Sequence, residues 1–323
     1  MRAVYINNPG PDSELQFVEQ PMPEISADEI LIKVAATAVN RADLMQRAGK
    51  YPPPAGASAI PGLEVAGEVV KIGHLVTDFQ TGDRVYGLVS GGGYAEYCPI
   101  NQHLACKIPN DWSFVYAAAI PEALTTVHAA IFMLGNLQSG QNLLVHAAGS
   151  GISCMAIQMA VYCGAFVYTT ASNQQKIAKA EALGAGKVIN YKEDDFESII
   201  GANQADLILD FIGGNYFGKH LTLLKPLGRL IQIACMQGHK VECDLALLMR
   251  KRLQINGFVL RSQSTAEKVQ LWQSAHQRWF SALAEGKIKP VIDSVYSLED
   301  VEEAHQRMKG SQHFGKIVVQ VGL

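Results

Sequence analysis

The hydrophobic pattern of the chain changes near residue 115. Before that point, short apolar runs that alternate with polar residues lie between glycine- and proline-rich turns; they are ILIKVAATAV (30–39), VAGEVVKIG (65–73), DRVYGLV (83–89) and AEYCPI (95–100). A period of two residues, interrupted by turn residues, is typical of short β-strands. The first 110 residues therefore predict an irregular β domain.

After residue 115, aliphatic runs alternate with amphipathic segments of helical period. The runs are NLLVHA (142–147), AFVYTT (165–170), KVIN (187–190), ADLILDFIG (205–213), LGRLIQIA (227–234) and LQINGFV (253–259). Strands that alternate with helices build parallel βαβ units. Six such strands make a full doubly wound sheet, so this part of the chain predicts a Rossmann domain.

The end of the chain changes character again. The segment TAEKVQLWQSAHQRWFSALAEG (265–286) has a helical period and ends on a glycine. PVIDSVYSL, EDVEEAHQRM and GKIVVQV then predict a strand, a helix and a strand, with the N-terminal β domain as the expected sheet partner. We therefore predict an α/β protein in which residues 1–122 and 263–323 form a discontinuous β-rich domain, with a Rossmann domain at 123–262.

Composition narrows the function without identifying it. The net charge of −3 over 323 residues provides no basic surface for nucleic acid or for an anionic membrane. The start lacks the apolar core of a signal peptide, and no run of about eighteen apolar residues predicts a membrane span. Six cysteines without a Cys-x-x-Cys pair indicate reduced thiols. A cytoplasmic protein with a small-molecule partner is expected.

A glycine loop follows the first predicted Rossmann strand. HAAGSGISC (146–154) lies between that strand and an apolar helix, where a dinucleotide-binding fold places its phosphate loop. Gly149 and Gly151 match two glycines of that motif, but Ser153 or Cys154 stands where the third is expected. A plain turn is the alternative. The strand and helix repeats that follow favour phosphate binding at the helix N-terminus.

The end of the second Rossmann strand indicates which dinucleotide binds. An NAD-binding chain places an acid there against the ribose 2′-hydroxyl, but TTASNQQK (169–176) contains none. Nothing repels a 2′-phosphate, and Asn173 with Lys176 can bind one, so NADPH is preferred over NADH. The alternative is that Lys176 is only a solvated helix charge.

Several stretches together resemble one family. They are NRADLMQRAGKYPPPAG (40–56), PGLEVAGEVVKIG (61–73), TGDRVYGLV (81–89), AAAIPEALTTVHAAI (117–131), the glycine loop, ALGAGKVINYKEDDF (182–196), LDFIGG (209–214) and GKIVV (315–319). In this order they resemble the zinc-free quinone oxidoreductases of the medium-chain dehydrogenase/reductase superfamily, and within them the tumour-suppressor-inducible subgroup. The resemblance implies a GroES-like catalytic domain from both chain ends, NADPH in a cleft beside the Rossmann domain, and a homodimer through the last Rossmann strand.

The resemblance also implies that catalytic zinc is absent. Zinc-dependent relatives carry a cysteine where this chain has Asn40, and a histidine where Leu63 precedes Glu64. Without a Lewis acid to polarise it, the acceptor must already be electron-poor, as a quinone is. Proximity of nicotinamide and acceptor in a dry pocket then supplies much of the rate.

Candidate site residues follow from the same resemblance. Asn40 is expected to meet the nicotinamide ribose or the acceptor, Asp43 to orient its neighbours, and Tyr51 to bond to or stack on a quinone. Alternatively, Asn40 only caps a helix and Asp43 is only a first-turn carboxylate. The implied cofactor residues are Thr126, Ala148, Gly149, Ser150, Gly151, Ile152, Asn173, Lys176, Tyr191, Gly213, Ala234, Leu260 and Lys316.

Two further side chains have simpler interpretations. The hydroxyl of Thr126 is alternatively bonded back to its own helix. His146, before the glycine loop, is interpreted as a structural histidine with satisfied hydrogen bonds.

The function expected from the sequence is NADPH-dependent reduction of quinones or similar acceptors, without zinc. Reduction of enones or enoyl thioesters is the enzymatic alternative, because related zinc-free proteins have the same two domains. A non-catalytic NADPH-binding protein, either a sensor or a crystallin-like protein, is the alternative outside enzymes.

Overall fold

A computed structural model, which describes residues 1–322, divides the chain into two compact units. The β-rich unit contains residues 1–123, 261–278 and the described chain from Pro290 onward, and the Rossmann unit contains 124–260 and 279–289. The domain borders predicted after residues 122 and 262 differ by one and two residues from the borders between the units, which follow residues 123 and 260. Residues 279–289, which the sequence placed with the β-rich domain, belong to the Rossmann unit.

The regular elements of the described chain are numbered in order. The strands are β1 (Arg2–Asn7), β2 (Glu14–Glu19), β3 (Glu29–Val39), β4 (Glu64–Ile72), β5 (Arg84–Leu88), β6 (Tyr97–Asn101), β7 (Ala105–Lys107), β8 (Asn142–Val145), β9 (Phe166–Ala171), β10 (Lys187–Asn190), β11 (Ala205–Asp210), β12 (Leu224–Gln232), β13 (Gln254–Gly257), β14 (Ile292–Ser297) and β15 (Lys316–Gln320). The helices are α1 (Arg41–Arg47), α2 (Phe114–Ala118), α3 (Pro121–Val127), α4 (Gly151–Tyr162), α5 (Gln174–Ala182), α6 (Phe196–Ile200), α7 (Tyr216–Leu223), α8 (Leu245–Lys251), α9 (Thr265–Ala284) and α10 (Val301–Lys309).

The main sheet of the β-rich unit joins the two ends of the chain. Its order is β14-β15-β3-β4-β5-β7, with β6 also paired to β3, while β1 and β2 form a separate antiparallel pair. β15 pairs antiparallel with β3, which places Ile317 opposite Val39. Gly67 in β4 allows a close approach, because a Cβ there would lie 2.1 Å from the carbonyl oxygen of Lys33. The C-terminal strand therefore completes the sheet that carries the segment 40–56.

The Rossmann unit is built on a six-stranded sheet of order β10-β9-β8-β11-β12-β13. Every neighbouring pair is parallel. This order reverses at β8, so β8 and β11 flank the point at which doubly wound sheets bind ligands beyond their carboxyl ends. The α/β fold predicted from the sequence, a Rossmann sheet with a β-rich domain, is confirmed.

Among residues 1–322, one helical stretch is apolar enough to cross a membrane by length and composition. It runs from Phe114 to Leu134 and continues α3 through a π-helical turn at His128–Leu134. In its most apolar window, 83% of the residues are buried inside the protein. Burial of this kind is what a core helix shows, so its composition is explained by packing.

Candidate active site

The side chain of Asn40 is turned toward a buried ion pair. Asn40 occupies the N-cap position of α1 and forms a capping box with Asp43. In addition its Nδ2 donates to Glu64 Oε1 at 2.9 Å, and its Oδ1 accepts from Lys316 Nζ at 2.8 Å. Asn40 therefore has the capping position considered as the alternative, and its amide also contacts the ion pair.

Glu64 and Lys316 form the centre of this cluster. The Lys316 ammonium donates to Glu64 Oε1, and the two residues are 0% and 4% exposed. The second carboxylate oxygen of Glu64 accepts from the backbone N–H of Glu122 at 2.9 Å. Burial of opposite charges is tolerated when geometry and additional hydrogen bonds satisfy both groups, as they do here. The ammonium of Lys316 is engaged with Glu64 and Asn40. A contact between Lys316 and the cofactor stays a prediction.

The residues at this position do not fit a zinc ion. Asn40 and the buried Leu63 supply no thiolate or imidazole, and Glu64 is already neutralised by the ammonium of Lys316. Zinc in proteins takes three or four cysteine, histidine or carboxylate ligands. Within residues 1–322, no group of three such side chains is placed to hold a metal.

Asp43 holds the backbone that surrounds the cluster. It is fully buried in α1, where its carboxylate accepts from the N–H of Asn40 at 2.7 Å and of Gly62 at 3.1 Å. Burial raises the pKa of Asp43 to about 6, although the two backbone N–H groups act in the opposite direction. The first-turn carboxylate considered from the sequence is therefore present, and it also fixes the loop at Gly62.

Replacing Asp43 by asparagine should change how stability depends on pH. The folded pKa of about 6 lies above the ordinary value of 3.8, so the carboxyl stabilises the fold fully below about pH 4 and loses that effect as pH rises through 6. From about pH 3 to pH 7.5, the unfolding free energy of Asp43→Asn should rise by about 3 kcal/mol relative to that of the wild type. Urea titrations across this range measure the difference, and parallel pH profiles would contradict the assignment.

Tyr51 lies beside a cation that the sequence interpretation did not select. The guanidinium carbon of Arg261 is 5.4 Å from the centre of the Tyr51 ring, within the range of a cation–π contact. Burial raises the pKa of the Tyr51 hydroxyl to about 12, and the Glu122 carboxylate adds to the shift. The hydroxyl is therefore neutral and able to donate a hydrogen bond.

Arg261 is 4% exposed and incompletely paired. Its Nε donates to the carbonyl oxygen of Ser90 at 3.0 Å, while Nη2 has no hydrogen-bond partner among residues 1–322. Lys268 Nζ donates to the hydroxyl of the same Ser90 at 2.8 Å. A buried guanidinium donor without an acceptor is costly, which makes this position a candidate for contact with a ligand oxygen.

Glu122 is a charged residue to which the sequence interpretation gave no role. Burial raises the pKa of its carboxyl to about 8, with a further contribution from Glu64. The available signal was a charge inside an apolar segment, since AAAIPEALTTV surrounds Glu122 with small and aliphatic residues. Such a position is unusual for a carboxylate unless it has a partner or a function.

In the Rossmann unit, the glycine loop leads directly into α4. Ser150 caps this helix by accepting from the N–H of Ser153 at 3.0 Å. The N–H groups of Gly151 and Ile152 have no acceptor within the described chain, whereas that of the buried Ala148 donates to the carbonyl of Thr170. Two unpaired N–H groups at a helix N-terminus fit the pyrophosphate of a dinucleotide. The N–H of Ala148 is used within the protein, so Ala148 offers a ligand no backbone donor.

Ser153 explains why the third glycine is dispensable. Its side chain is fully buried, and its hydroxyl donates to the carbonyl oxygen of His146 at 2.7 Å. The third glycine of the motif allows close packing of helix and strand. Here a small side chain with a hydrogen bond back to the strand end occupies the same contact.

The residues predicted to bind a 2′-phosphate lie at adjacent strand ends. Asn173 follows β9 and caps α5 by accepting from the N–H of Lys176 at 3.0 Å. Tyr191 follows β10, the neighbour of β9, and is partly exposed. Because parallel neighbours end at the same edge, the three residues are on one rim of the sheet.

The remaining predicted cofactor residues are also in the Rossmann unit. Gly213 follows β11 with a φ of 67°, and a Cβ there would lie 2.6 Å from the carbonyl oxygen of Gly238, so only glycine fits. Ala234 follows β12, and Thr126 lies on α3. Leu260 is buried and contributes apolar surface. A cofactor contact by each of them stays a prediction.

The chain matches two family models and several curated proteins. The models are described as alcohol dehydrogenase GroES-like domain, over residues 26–110, and zinc-binding dehydrogenase, over residues 183–319. The quinone oxidoreductase of Lama guanicoe is 32% identical, over 99% of this chain and 97% of the relative. Synaptic vesicle membrane protein VAT-1 homolog-like of Homo sapiens is 30% identical, over 99% of this chain and 81% of the relative.

A solved structure agrees with these relatives. Escherichia coli quinone oxidoreductase complexed with NADPH matches with a TM-score of 0.88 at 28% identity, over 99% of both chains. The match extends over both units. One unit has the Rossmann sheet and the other the β-rich fold, as the resemblance to the quinone oxidoreductases predicted. The chain belongs to the quinone oxidoreductase family of the medium-chain dehydrogenase/reductase superfamily.

Proposed function

We propose that this protein reduces quinones or similarly electron-poor acceptors with NADPH and without zinc. The observation that carries the proposal is the Asn40–Glu64–Lys316 cluster, in which an ammonium pairs with the carboxylate at the position related to a zinc site. An ammonium buried in this way cannot coordinate a substrate oxygen as a Lewis acid does. Acceptors that stabilise incoming electrons by themselves suit such a site.

NADPH, when bound, supplies the hydride that reduces the acceptor. The structure of the related Escherichia coli enzyme contains NADPH. In this chain the N–H groups of Gly151 and Ile152 would bind the pyrophosphate, and Lys176 with Tyr191 would contact the 2′-phosphate. Tyr51 would stack on the acceptor, with Arg261 donating to an acceptor oxygen.

A panel of acceptors tests the proposal. NADPH oxidation is measured with ortho-quinones, para-quinones and enones, before and after treatment with a zinc chelator and after addition of zinc. We expect turnover with quinones that the chelator does not change. Turnover with enones alone favours the double-bond reductase. If NADPH is not oxidised with any acceptor in the panel, a non-catalytic binding protein is favoured. Turnover that depends on zinc contradicts the metal-free site.

Replacing Lys176 by alanine tests the dinucleotide preference. A charge-assisted hydrogen bond to the 2′-phosphate is lost, so KM for NADPH should rise about 30-fold while KM for NADH stays within about twofold. Lys179→Ala, one turn farther along α5, is the matched control. If Lys176→Ala leaves KM for NADPH unchanged, Lys176 does not bind the phosphate and is the solvated helix charge of the alternative interpretation.

We also propose a homodimer that pairs through β13. This strand is the edge of the Rossmann sheet, and exposed apolar residues lie on it and on the adjacent α8: Ile255, Leu245 and Met249, the last two 65% and 71% exposed. An open edge with apolar neighbours is suited to pairing with a second copy.

Replacing Ile255 by lysine should weaken that dimer. Like charges from the two copies would face each other near the symmetry axis, so the dissociation constant should rise by about tenfold or more. Size-exclusion chromatography with light scattering measures the mass over a dilution series. Ile199→Lys, at an exposed apolar position on α6, is the control. Equal masses for both variants and the wild type would exclude β13 as the interface.

A further inference from the structure

Two buried histidines of the Rossmann unit lie in contact beneath the glycine loop. His146 follows β8 and His220 lies on α7, and both are 0% exposed. Their Nε2 atoms are 2.8 Å apart, a hydrogen-bond distance that requires one donor and one acceptor. Neither residue belongs to the cofactor set predicted from the sequence, which treated His146 as structural.

A carboxylate sets the polarity of this pair. Asp210, the last residue of β11, is fully buried, and one of its oxygens lies 3.5 Å from Nδ1 of His220. No hydrogen bond joins His220 Nδ1 to Asp210, but the negative carboxylate favours a proton on the nitrogen that faces it. We therefore assign the proton of His220 to Nδ1, and its Nε2 then accepts from Nε2 of His146. Burial lowers the pKa of both imidazoles, that of His220 to about 4, so the pair is neutral.

The same polarity continues to the glycine loop. Nδ1 of His146 lies 3.1 Å from the hydroxyl oxygen of Thr170, and because Nε2 of His146 donates, Nδ1 accepts from this hydroxyl. The Thr170 oxygen in turn accepts from the N–H of Ala147 at 3.1 Å. Ala147 has a φ of 49°, a left-handed conformation that a non-glycine residue adopts only when its surroundings impose it.

On the side away from the glycine loop, Asp210 connects the histidine pair to a second loop, the one after β11. The carboxylate of Asp210 accepts from the N–H of Ile212 at 2.7 Å and from that of Gly213 at 3.1 Å. β8 and β11 are neighbours in the sheet, so the contacts run beneath the two strand ends that flank the reversal of strand order. One loop begins the predicted pyrophosphate site, and the other carries Gly213.

We propose that His146 and His220 are positioning residues for the dinucleotide: their directional contacts fix the glycine loop relative to the loop after β11. The inference rests on the proposed function, because it assumes that a dinucleotide occupies these two loops. It assigns to the histidines a role in cofactor affinity that goes beyond filling the core.

Three substitutions at His220 separate the two halves of the network. Asparagine keeps a donor near Asp210 and loses the acceptor for His146, whereas glutamine keeps an acceptor for His146 and loses the donor. Leucine removes both. The Kd of NADPH is measured by fluorescence titration, thermal unfolding is measured without ligand, and kcat is measured at saturating NADPH.

We expect His220→Leu to raise the Kd of NADPH about tenfold and each polar variant to raise it less, with kcat changed by less than about twofold. Thr170→Val removes only the hydroxyl and should raise the Kd about threefold, which keeps the test open if a histidine variant fails to fold. Nitrogen chemical shifts of the wild type should show a proton on Nδ1 of His220 and on Nε2 of His146.

The outcomes separate this inference from the proposed function. Variants that unfold at lower temperature but bind NADPH like the wild type make the histidines purely structural and overturn the inference alone. The opposite tautomers also overturn it. A wild-type protein that binds no NADPH overturns both the inference and the proposed function.

Discussion

Replacing Lys316 by methionine should lower the free energy of unfolding by about 3 kcal/mol. Methionine retains most of the volume of the lysine stem, so the main effect is to leave the buried Glu64 carboxylate without its cation. The amide of Asn40 and the N–H of Glu122 remain as donors, which keeps the loss near the lower end for a broken buried pair. Chemical denaturation at neutral pH measures the change.

A double variant shows whether the charge is responsible. Glu64→Gln together with Lys316→Met removes the uncompensated carboxylate and should recover at least about 1 kcal/mol of the loss. Lys309→Met, at an exposed position on α10, is the control for loss of a lysine charge and should cost less than about 0.5 kcal/mol. A Lys316→Met protein as stable as the Lys309→Met protein would contradict the buried pair.

Replacing Arg261 by methionine should have the largest effect on catalysis. The guanidinium beside Tyr51 has an unpaired Nη2, and in the proposed reaction it donates to the acceptor oxygen that gains negative charge. Loss of one such donor should lower kcat/KM for a quinone about 100-fold, with the Kd of NADPH within about threefold of the wild-type value. Stopped-flow NADPH oxidation and fluorescence titration measure the two quantities.

Arg84 provides a matched control for this variant. Its guanidinium carbon also stacks on an aromatic ring, 4.8 Å from the centre of Phe114, and it donates to the carbonyl of Trp112. Arg84→Met therefore removes a similar cation–π contact at a different place in the β-rich unit. Arg261→Lys keeps the charge without the planar fork and should recover part of the rate. Equal losses in the Arg84 and Arg261 methionine variants would mean that packing is the cause.

Local pattern was sufficient for most of the fold. KVIN predicted β10 with its observed bounds, Lys187–Asn190, because a short aliphatic run with β-branched residues leaves little alternative. LGRLIQIA (227–234) missed the start of β12 at Leu224, since Lys225 and Pro226 are turn-like by composition. Pairing with β11 maintains the strand there in spite of a shifted register.

The candidate site depended more on contacts that are distant in sequence. The side chains of Lys316 and Glu64 are 252 positions apart, and no periodicity relates them. The resemblance to the family identified Asn40 as a site residue, but the ammonium that Asn40 contacts follows from the pairing of β15 with β3. Arg261 was not among the site residues chosen from the sequence, because nothing in the sequence shows that its Nη2 is left without a hydrogen-bond partner.

The place of β15 between β14 and β3 has a consequence for how the chain matures on the ribosome. The Rossmann unit draws on residues 124–260 and 279–289, so its sheet has every strand before β14 and β15 are synthesised. At that stage the β-rich unit still lacks β15, and Glu64 in the nascent protein has no counterion until Lys316 has been synthesised. Because domains generally fold as units during synthesis, we expect the Rossmann unit to gain native structure first.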